Sequence, residues 1–378
     1  MTRLADWLDV LDDAYDPAWA EEWDAVGLVV GDPAQDVSRA LLAVDPVAEV
    51  VTEAERLGVQ LLVTHHPLLL KGVHGVAETT YKGRLVARLV RAGIALHVAH
   101  TNADVATPGV SDALARAVGL REVLPLVPSP LGGGSKVVVF VPADAATKVV
   151  DAMAAAGAGD IGDYSRCSWS VEGVGTFVAG AGSTPAVGRP GEQVATPEAR
   201  VEMVVPTSRV DAVLRALVGA HPYEEPAYDV LPTLLPSDRG LGRVGELESA
   251  VPLGELASTL RAALPASPVG VRVAGDLDRR VRRLAVCGGA GDSVIGAALR
   301  ADADVLVTGD LRHHVTREAV ESGLALADVG HWTSERPWLD DAADLLRSRL
   351  VERGHTVDVA VSDLVTDPWA ALHPGRTS

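Results

Sequence analysis

The chain has 378 residues, of which 48% are hydrophobic and 22% charged, and it carries a formal net charge of -18. This length predicts two or three domains, and the lack of a long uncharged apolar stretch excludes a membrane-spanning helix. The acidic balance weighs against duplex nucleic acid as a partner, because phosphate neutralisation requires clustered Lys and Arg. A nucleotide ligand stays open, since bound divalent cations would reverse the charge of a pocket locally.

The first residues predict a cytoplasmic protein. Asp6 stands where a secretory signal would need an unbroken apolar segment, so we interpret the start as an amphipathic helix. In that compartment the two cysteines, Cys167 and Cys287, are expected to be small buried hydrophobic residues and not a disulfide.

Residues 1 to about 125 alternate between strand and helix patterns. The predicted elements are helix Leu4–Tyr15, strand Trp23–Gly31, strand Ala40–Val44, helix Val47–Leu57, strand Gln60–Val63, helix Lys82–Arg91, strand Ile94–Val98 and helix Val110–Val118. Such alternation predicts a layered α/β sheet that binds ligands at the carboxyl ends of its strands.

The middle of the chain changes pattern after a predicted linker, Pro125–Gly134, which is rich in Pro and Gly. The predicted elements are strand Lys136–Val141, helix Asp144–Ala156, a hairpin-like pair within Ser168–Ala179, strand Arg200–Val205, helix Ser208–Ala220 and strand Ala227–Leu231. This β-α-β-β-α-β order predicts a ferredoxin-like (CutA/PII-like) α+β domain. Gly180–Gly191 is expected to be an exposed loop, and a second boundary falls near Leu235–Gly240.

The α/β pattern returns from about Gly245. The predicted elements are helix Leu253–Ala263, strands Val271–Val273 and Arg283–Cys287, a glycine turn at Gly288–Gly291, helix Val294–Arg300, strand Val305–Thr308, helix Val315–Ser322, strand Leu324–Val329 and a terminal helix after Glu335. We therefore predict one discontinuous, two-lobed α/β domain, residues 1–127 and 241–378, with the ferredoxin-like domain inserted at residues 128–240.

Three clusters of histidines and carboxylates follow predicted strands. His65 and His66 end the first apolar run, and neighbouring strand side chains face one site only where the strand ends. The second cluster runs from His97 to Asp104, and the third contains His331 and Glu335, which lie one turn apart if a helix begins there. Imidazoles and carboxylates without thiolate suit Zn, Mn, Fe or Ni. The number of ligands points to two metal ions that share a bridging carboxylate and a bridging water.

With these residues identified, the chain resembles the GTP cyclohydrolase 1 type 2 homolog family, also called Nif-three-like dimetal proteins, over essentially its whole length. The resemblance rests on an ordered set of motifs: Trp23–Leu28, Thr64–Leu68, His100–Asp104, Thr308–Asp310 and Gly330–Glu335, with Gly162–Ser168 and His221–Tyr228 in the insert. Ala25 and Arg312-His313-His314 depart from the usual family pattern.

The resemblance implies two divalent metal ions per subunit, held by His65, His66, Asp104, His331 and Glu335. It also implies a toroidal homohexamer whose metal sites face an inner cavity. By the family name the substrate would be GTP, although another nucleotide or phosphorylated small molecule is equally compatible with the sequence.

Four further residues are candidates for catalysis or for support of the ligands. His97 and His100 either orient a ligand or protonate a leaving group, or they are ordinary hydrogen-bonded histidines at a strand end. Asp310 and His314 either support the site or transfer protons, or Asp310 caps a helix and His314 is solvated. The glycine turn Gly288–Gly291 is either a phosphate cradle or a common strand-to-helix turn.

Two functions are compatible with these predictions. The first is a metal-dependent hydrolase that uses a water bridging two cations. The second is a non-enzymatic, metal-loaded ring that acts as a regulator, a metal carrier or a partner-binding scaffold, with the insert as a lid or partner surface.

Overall fold

The computed structural model describes residues 2–129, 134–233 and 238–371. They belong to two compact units: residues 1–128 together with 238–378, and residues 129–237. No helix in the described parts of the chain has the length and apolar character needed to cross a bilayer.

The N-terminal part of the first unit alternates between helices and short buried strands. Its elements are α1 (Leu4–Ala14), β1 (Gly27–Val30), β2 (Arg39–Ala43), α2 (Ala48–Leu57), β3 (Leu61–Thr64), α3 (Tyr81–Ala92), β4 (Ala95–Val98), α4 (Thr101–Val105), α5 (Val110–Ala117) and β5 (Arg121–Pro128).

The second unit has the predicted β-α-β-β-α-β order. Its elements are β6 (Gly134–Pro142), α6 (Ala146–Ala155), β7 (Trp169–Val178), β8 (Gln193–Pro206), α7 (Val210–Ala220) and β9 (Tyr228–Thr233). The four strands form an antiparallel sheet in the order β7-β8-β6-β9. Valine and methionine side chains of β6 and β8 form a core with α6 and α7.

The chain then returns to the first unit and completes a second α/β sheet. The elements are β10 (Gly240–Pro252), α8 (Leu253–Ala263), β11 (Arg272–Ala274), β12 (Arg280–Ala290), α9 (Ile295–Arg300), β13 (Val305–Gly309), α10 (His313–Glu321), β14 (Ala325–Asp328), α11 (His331–Glu352) and β15 (Asp358–Val361).

Two sheets organise the first unit, in the orders β1-β4-β3-β2-β15 and β11-β14-β13-β12-β10-β5. Strands β15, β2, β3 and β4 are parallel, as are β12, β13 and β14. Parallel strands are buried on both faces, and separate apolar cores lie on the two sides of each sheet. The predicted two-lobed α/β fold class is confirmed.

Several predicted elements need correction. The prediction that a linker begins at Pro125 is wrong, because β5 continues to Pro128 and pairs with β10. β5 is the edge strand of its sheet, where prolines that lack an N–H are tolerated. Residues 130–133 of that linker, and residues 234–237 of the second predicted boundary, lie outside the described residues.

Other errors concern the number and the ends of elements. The predicted hairpin within Ser168–Ala179 is a single strand, β7, whose partner is β8. Strand β1 begins only at Gly27, and the terminal helix begins at His331 and not after Glu335. Among the α-helices and strands given above, α4, β10 and β15 had no prediction.

Candidate metal centre

The candidate metal centre lies at the carboxyl ends of the parallel strands. His65 and His66 follow β3, and His100 follows β4 and precedes α4, which carries Asp104. From the second sheet, Asp310 follows β13, while His331 and Glu335 lie in the first turns of α11, shortly after β14. All five predicted metal ligands are therefore brought to one place by two sheets.

Four imidazoles in this cluster have the same arrangement. Each Nδ1 lies within hydrogen-bonding distance of an oxygen, which orients the ring. The Nδ1–oxygen pairs are His65 with the Ala99 carbonyl at 2.9 Å, His66 with Asp45 at 2.7 Å, His100 with Asp24 at 2.9 Å and His331 with Asp310 at 2.8 Å. A histidine whose Nδ1 donates to an oxygen presents its Nε2 lone pair to a metal ion, and such partners are typical of metal-binding histidines.

Three of the four Nε2 atoms, those of His65, His66 and His331, converge on the Glu335 carboxylate. Glu335 Oε1 lies 3.0 Å from His331 Nε2 and 3.5 Å from His65 Nε2, and Oε2 lies 3.1 Å from His66 Nε2. Asp104 Oδ1 lies 3.6 Å from His65 Nε2. Two ligands of a tetrahedral ion with bonds of about 2.1 Å are about 3.4 Å apart. The observed separations match that spacing.

Two buried atoms of the cluster support the same interpretation. His65 Nε2 and Glu335 Oε2 are buried and have no hydrogen-bond partner among the described residues. A buried polar atom without a partner is costly unless something else satisfies it. The donor atoms form two groups that share His66: His65, His66 and His100, and His66, His331 and Glu335. The residues present thus fit divalent cations.

The electrostatics of the cluster are dominated by Glu335. Burial opposes ionisation of this side chain, but attraction from His66, His65 and His331 outweighs it and holds the pKa of the carboxyl well below its usual range. The same attraction outweighs burial at His66 and raises the pKa of its imidazole to about 10. Protons and metal ions therefore compete for the same Nε2 positions.

Asp104 and His100 have pKa values shifted mainly by burial. Burial raises the pKa of Asp104 to about 6, although His65 opposes the shift. Burial and the charge of His65 lower the pKa of His100 to about 4, against the effect of Asp24. His100 is therefore a neutral imidazole at pH 7.

Two of the predicted supporting residues lie elsewhere. His97 is buried within β4, its Nε2 is 3.9 Å from Asp12, and neither ring nitrogen has a hydrogen-bond partner among the described residues. His314 is exposed in the first turn of α10, where its ring contacts His313. Asp310, in contrast, holds His331, and the cap of α10 is Arg312. The capping alternative for Asp310 is therefore wrong.

Two carboxylates that position the imidazoles had no predicted role. Asp45 follows β2 at the same sheet edge as His66, so its place after a strand was a usable signal. Asp24 has a fully buried side chain and accepts hydrogen bonds from the Thr101 backbone and hydroxyl as well as pairing with His100. The sequence motif that contains Asp24 was identified, but the contact between Asp24 and His100 depends on the tertiary fold.

The glycine turn packs against two of the predicted metal ligands, Glu335 and His331. Gly289 has a φ of +66°, and a Cβ placed on it would lie 2.6 Å from Glu335 Oε1 and 3.3 Å from His331 Nε2. Its N–H donates to Ser334 Oγ at 2.8 Å. The phosphate-cradle alternative is not supported, because this N–H is already bound and the turn provides space for Glu335.

Gly289→Ala is expected to reduce both stability and metal content. The matched control is Gly58→Ala, because Gly58 has a similar φ of +62° but open space around its Cβ position. The control should lose about 1–2 kcal/mol for the left-handed backbone alone and keep its metal. Thermal unfolding and elemental analysis of both variants check this. Equal losses in the two variants would contradict a specific contact with Glu335.

Asp45→Asn is expected to weaken metal binding about 10- to 100-fold, because His66 loses the carboxylate that orients its ring and increases its basicity. Competition with a chromophoric chelator measures the affinity. The control is Asp36→Asn at an exposed position of the same unit. Identical affinities in the two variants would show that Asp45 does not act through His66.

A cavity of about 680 Å³ adjoins the centre. His66, Asp310 and His331 form its side nearest the cluster, and Arg272, Val269 and Trp369 contribute to its other walls. Cavities of this volume hold nucleotide-sized ligands.

Comparison with known proteins identifies the family. A profile of Duf34/NIF3 (NGG1p interacting factor 3) matches residues 2–368. The chain belongs to the DUF34/NIF3 family. A Mycobacterium tuberculosis member named GTP cyclohydrolase 1 type 2 homolog is 50% identical over 374 residues, covering 98% of this chain and 97% of that protein. A Bacillus subtilis protein of the same name is 37% identical, covering 94% of this chain and 95% of its own.

Two solved structures agree with the fold. The crystal structure of a Bacillus cereus protein related to NIF3 superposes with a TM-score of 0.85 at 36% identity, covering 98% of this chain and 99% of the other. Staphylococcus aureus protein SA1388 gives a TM-score of 0.79 at 28% identity, with the same coverage. The predicted family is therefore confirmed.

Proposed function

We propose that this chain is a cytoplasmic metal-dependent hydrolase that binds two divalent cations and acts on GTP or another nucleotide or phosphorylated small molecule. The observation that carries the proposal is the convergence of oriented imidazole Nε2 atoms on Glu335. The ligand set of His65, His66, Asp104, His331 and Glu335 contains no thiolate, which suits Zn, Fe, Mn or Ni. Glu335, which lies between three imidazoles, is the preferred bridging carboxylate.

The cations, when bound, would supply Lewis-acid stabilisation of developing charge and an acidified water. The side chains of the chain have separate tasks. Asp45, Asp310 and Asp24 hold the rings of His66, His331 and His100, respectively. His100 is neutral at pH 7 and lies beside His65 and His66, so its Nε2 lone pair is available to a cation that those two histidines would hold.

Turnover of a substrate panel by metal-reconstituted protein tests the hydrolase. GTP, other nucleotides and simple phosphoesters should be assayed for both phosphate release and opening of the purine ring, with His65→Ala as the comparison. We expect activity in the wild type that is lost with His65. A wild type that is inactive on every substrate, at full metal occupancy, would contradict this function.

The alternative is a non-enzymatic ring that acts as a regulator, metal carrier or scaffold. It is favoured by apolar side chains exposed along β7 of the second unit: Trp169, Val171, Val174 and Val178. An exposed apolar strand is a typical partner surface. Titration of the metal-free protein with metals, and pulldowns with and without residues 129–237, separate the two functions.

The toroidal homohexamer is also part of the proposal. It would place six metal centres around one cavity and give a particle with six times the 39.3 kDa mass of the chain. Light scattering on the purified protein measures that mass directly.

A further inference from the structure

The cavity beside the metal centre has an aromatic wall supplied by the last described residues. Trp369 lines this cavity together with Pro368, yet 65% of its surface is exposed. An indole that faces an open cavity offers a flat apolar surface, and rings stack on such surfaces in an offset manner.

The segment that carries Trp369 is tied to the metal centre. The Thr366 hydroxyl donates to Asp45, whose other oxygen holds His66. Upstream, Ser362 donates to Glu53 and accepts from the Leu364 N–H. These contacts hold residues 362–366 beside Asp45 and α2, and Trp369, three residues further on, lines the same cavity as His66.

The polar groups of the cavity are mainly acceptors. Four carboxylates line it, those of Asp45, Asp310, Asp328 and Asp367. Its one arginine among the described residues, Arg272, is paired with Asp328. Carboxylates accept hydrogen bonds and do not donate them. Asp45 and Asp328 already accept hydrogen bonds at both oxygens, so Asp310 and Asp367 are the carboxylates left for a ligand that brings N–H donors.

Asp367 is the carboxylate next to the indole. Its Oδ1 accepts the Trp369 backbone N–H at 3.0 Å, while Oδ2 accepts no hydrogen bond from the described residues. A donor-bearing ring stacked on Trp369 would therefore find an available acceptor close to its edge.

We propose that this cavity is the recognition site for a planar heteroaromatic ring with N–H donors, which stacks on Trp369 and donates to Asp367. The proposal rests on the proposed function, because it assigns the donor-bearing edge of the substrate's ring to the Trp369 wall and the bond to be hydrolysed, in the ring or at a phosphate, to the metal centre. It also names a substrate class: aminopurines and related donor-bearing heterocycles.

Calorimetric binding to the metal-loaded full chain tests the site with three probes. Guanosine has N–H donors on its base, purine riboside has a base without them, and ribose 5-phosphate has no base. Trp369→Ala should weaken the binding of both nucleosides at least about tenfold, as expected for loss of base stacking. It should leave the affinity for ribose 5-phosphate unchanged. Trp369→Phe, which keeps an aromatic face, should restore most of the affinity.

Asp367→Asn should weaken the binding of guanosine and leave the binding of purine riboside unchanged. Only guanosine has base N–H donors, so only guanosine loses a hydrogen bond to a charged acceptor. Tyr81→Ala is the control, an aromatic residue of the same unit that is 61% exposed and does not line the cavity, and it should not change the affinities. Nucleosides that bind Trp369→Ala as tightly as wild type, or a wild type that binds none of them, would overturn the site.

Metal content and turnover distinguish this inference from the hydrolase itself. Full metal content and turnover in Trp369→Ala, with unchanged nucleoside affinity, would remove the recognition site and leave the hydrolase standing. If the wild type binds the nucleosides but turns over no substrate, the recognition site would stand and the hydrolase would be contradicted.

Discussion

Glu335→Gln is expected to reduce bound divalent metal from about two ions per chain to one or none. Glu335 is the carboxylate on which His65, His66 and His331 converge, and its side chain is only 4% exposed. The amide keeps the shape of the side chain but has no negative charge, and one of its two ligand atoms becomes an N–H donor. The group formed by His66, His331 and Glu335 therefore loses a ligand, and His65 loses the carboxylate that lies 3.5 Å from its Nε2. Elemental analysis of protein purified without chelators measures the change.

A matched control separates this effect from a change in α11. Glu352→Gln makes the same substitution at the exposed end of the same helix and should keep the wild-type metal content. Circular dichroism of both variants checks that the fold survives. If Glu335→Gln kept two ions per chain, Glu335 would not be a metal ligand and the proposed bridge would be lost.

The sequence allowed much of this centre to be predicted, for a physical reason. Residues that follow parallel strands share one edge of a sheet, so His65, His66 and Asp104 are brought together by topology alone. His331 and Asp310 follow strands of the second sheet in the same way. The spacing of His331 and Glu335 required only that a helix begin at His331, as it does.

The parts that could not be predicted depend on contacts distant in sequence. Strand β15 pairs with β2 across more than half of the chain, and short edge strands have little pattern of their own. Asp45 is held by Thr366, and neither residue stands in a recognisable motif. Strands β5 and β10 contain Pro and Gly, which predict turns locally, and their pairing in the sheet overrides that preference.

Arg243→Met is expected to lower the free energy of unfolding of the first unit by about 3–5 kcal/mol, the usual cost of leaving one member of a buried ion pair alone. Only 1% of the Arg243 side chain is exposed, and its Nε and Nη2 each lie 2.6 Å from the Asp112 carboxylate. The guanidinium also donates to the carbonyls of Ala106, Gly240 and Gly242. Arg243 thus ties β10 to the turn between α4 and α5, two residues beyond Asp104.

Urea unfolding followed by tryptophan fluorescence measures this loss, because six of the seven tryptophans belong to the first unit. The control is Arg121→Met, whose ion pair with Glu248 is 63% and 75% exposed and should contribute less than about 1 kcal/mol. The double variant Arg243→Met/Asp112→Asn should lose less than the sum of the two single variants, since it leaves no buried charge unpaired. Additive losses would mean that Arg243 stabilises the unit through the three carbonyls and not through Asp112.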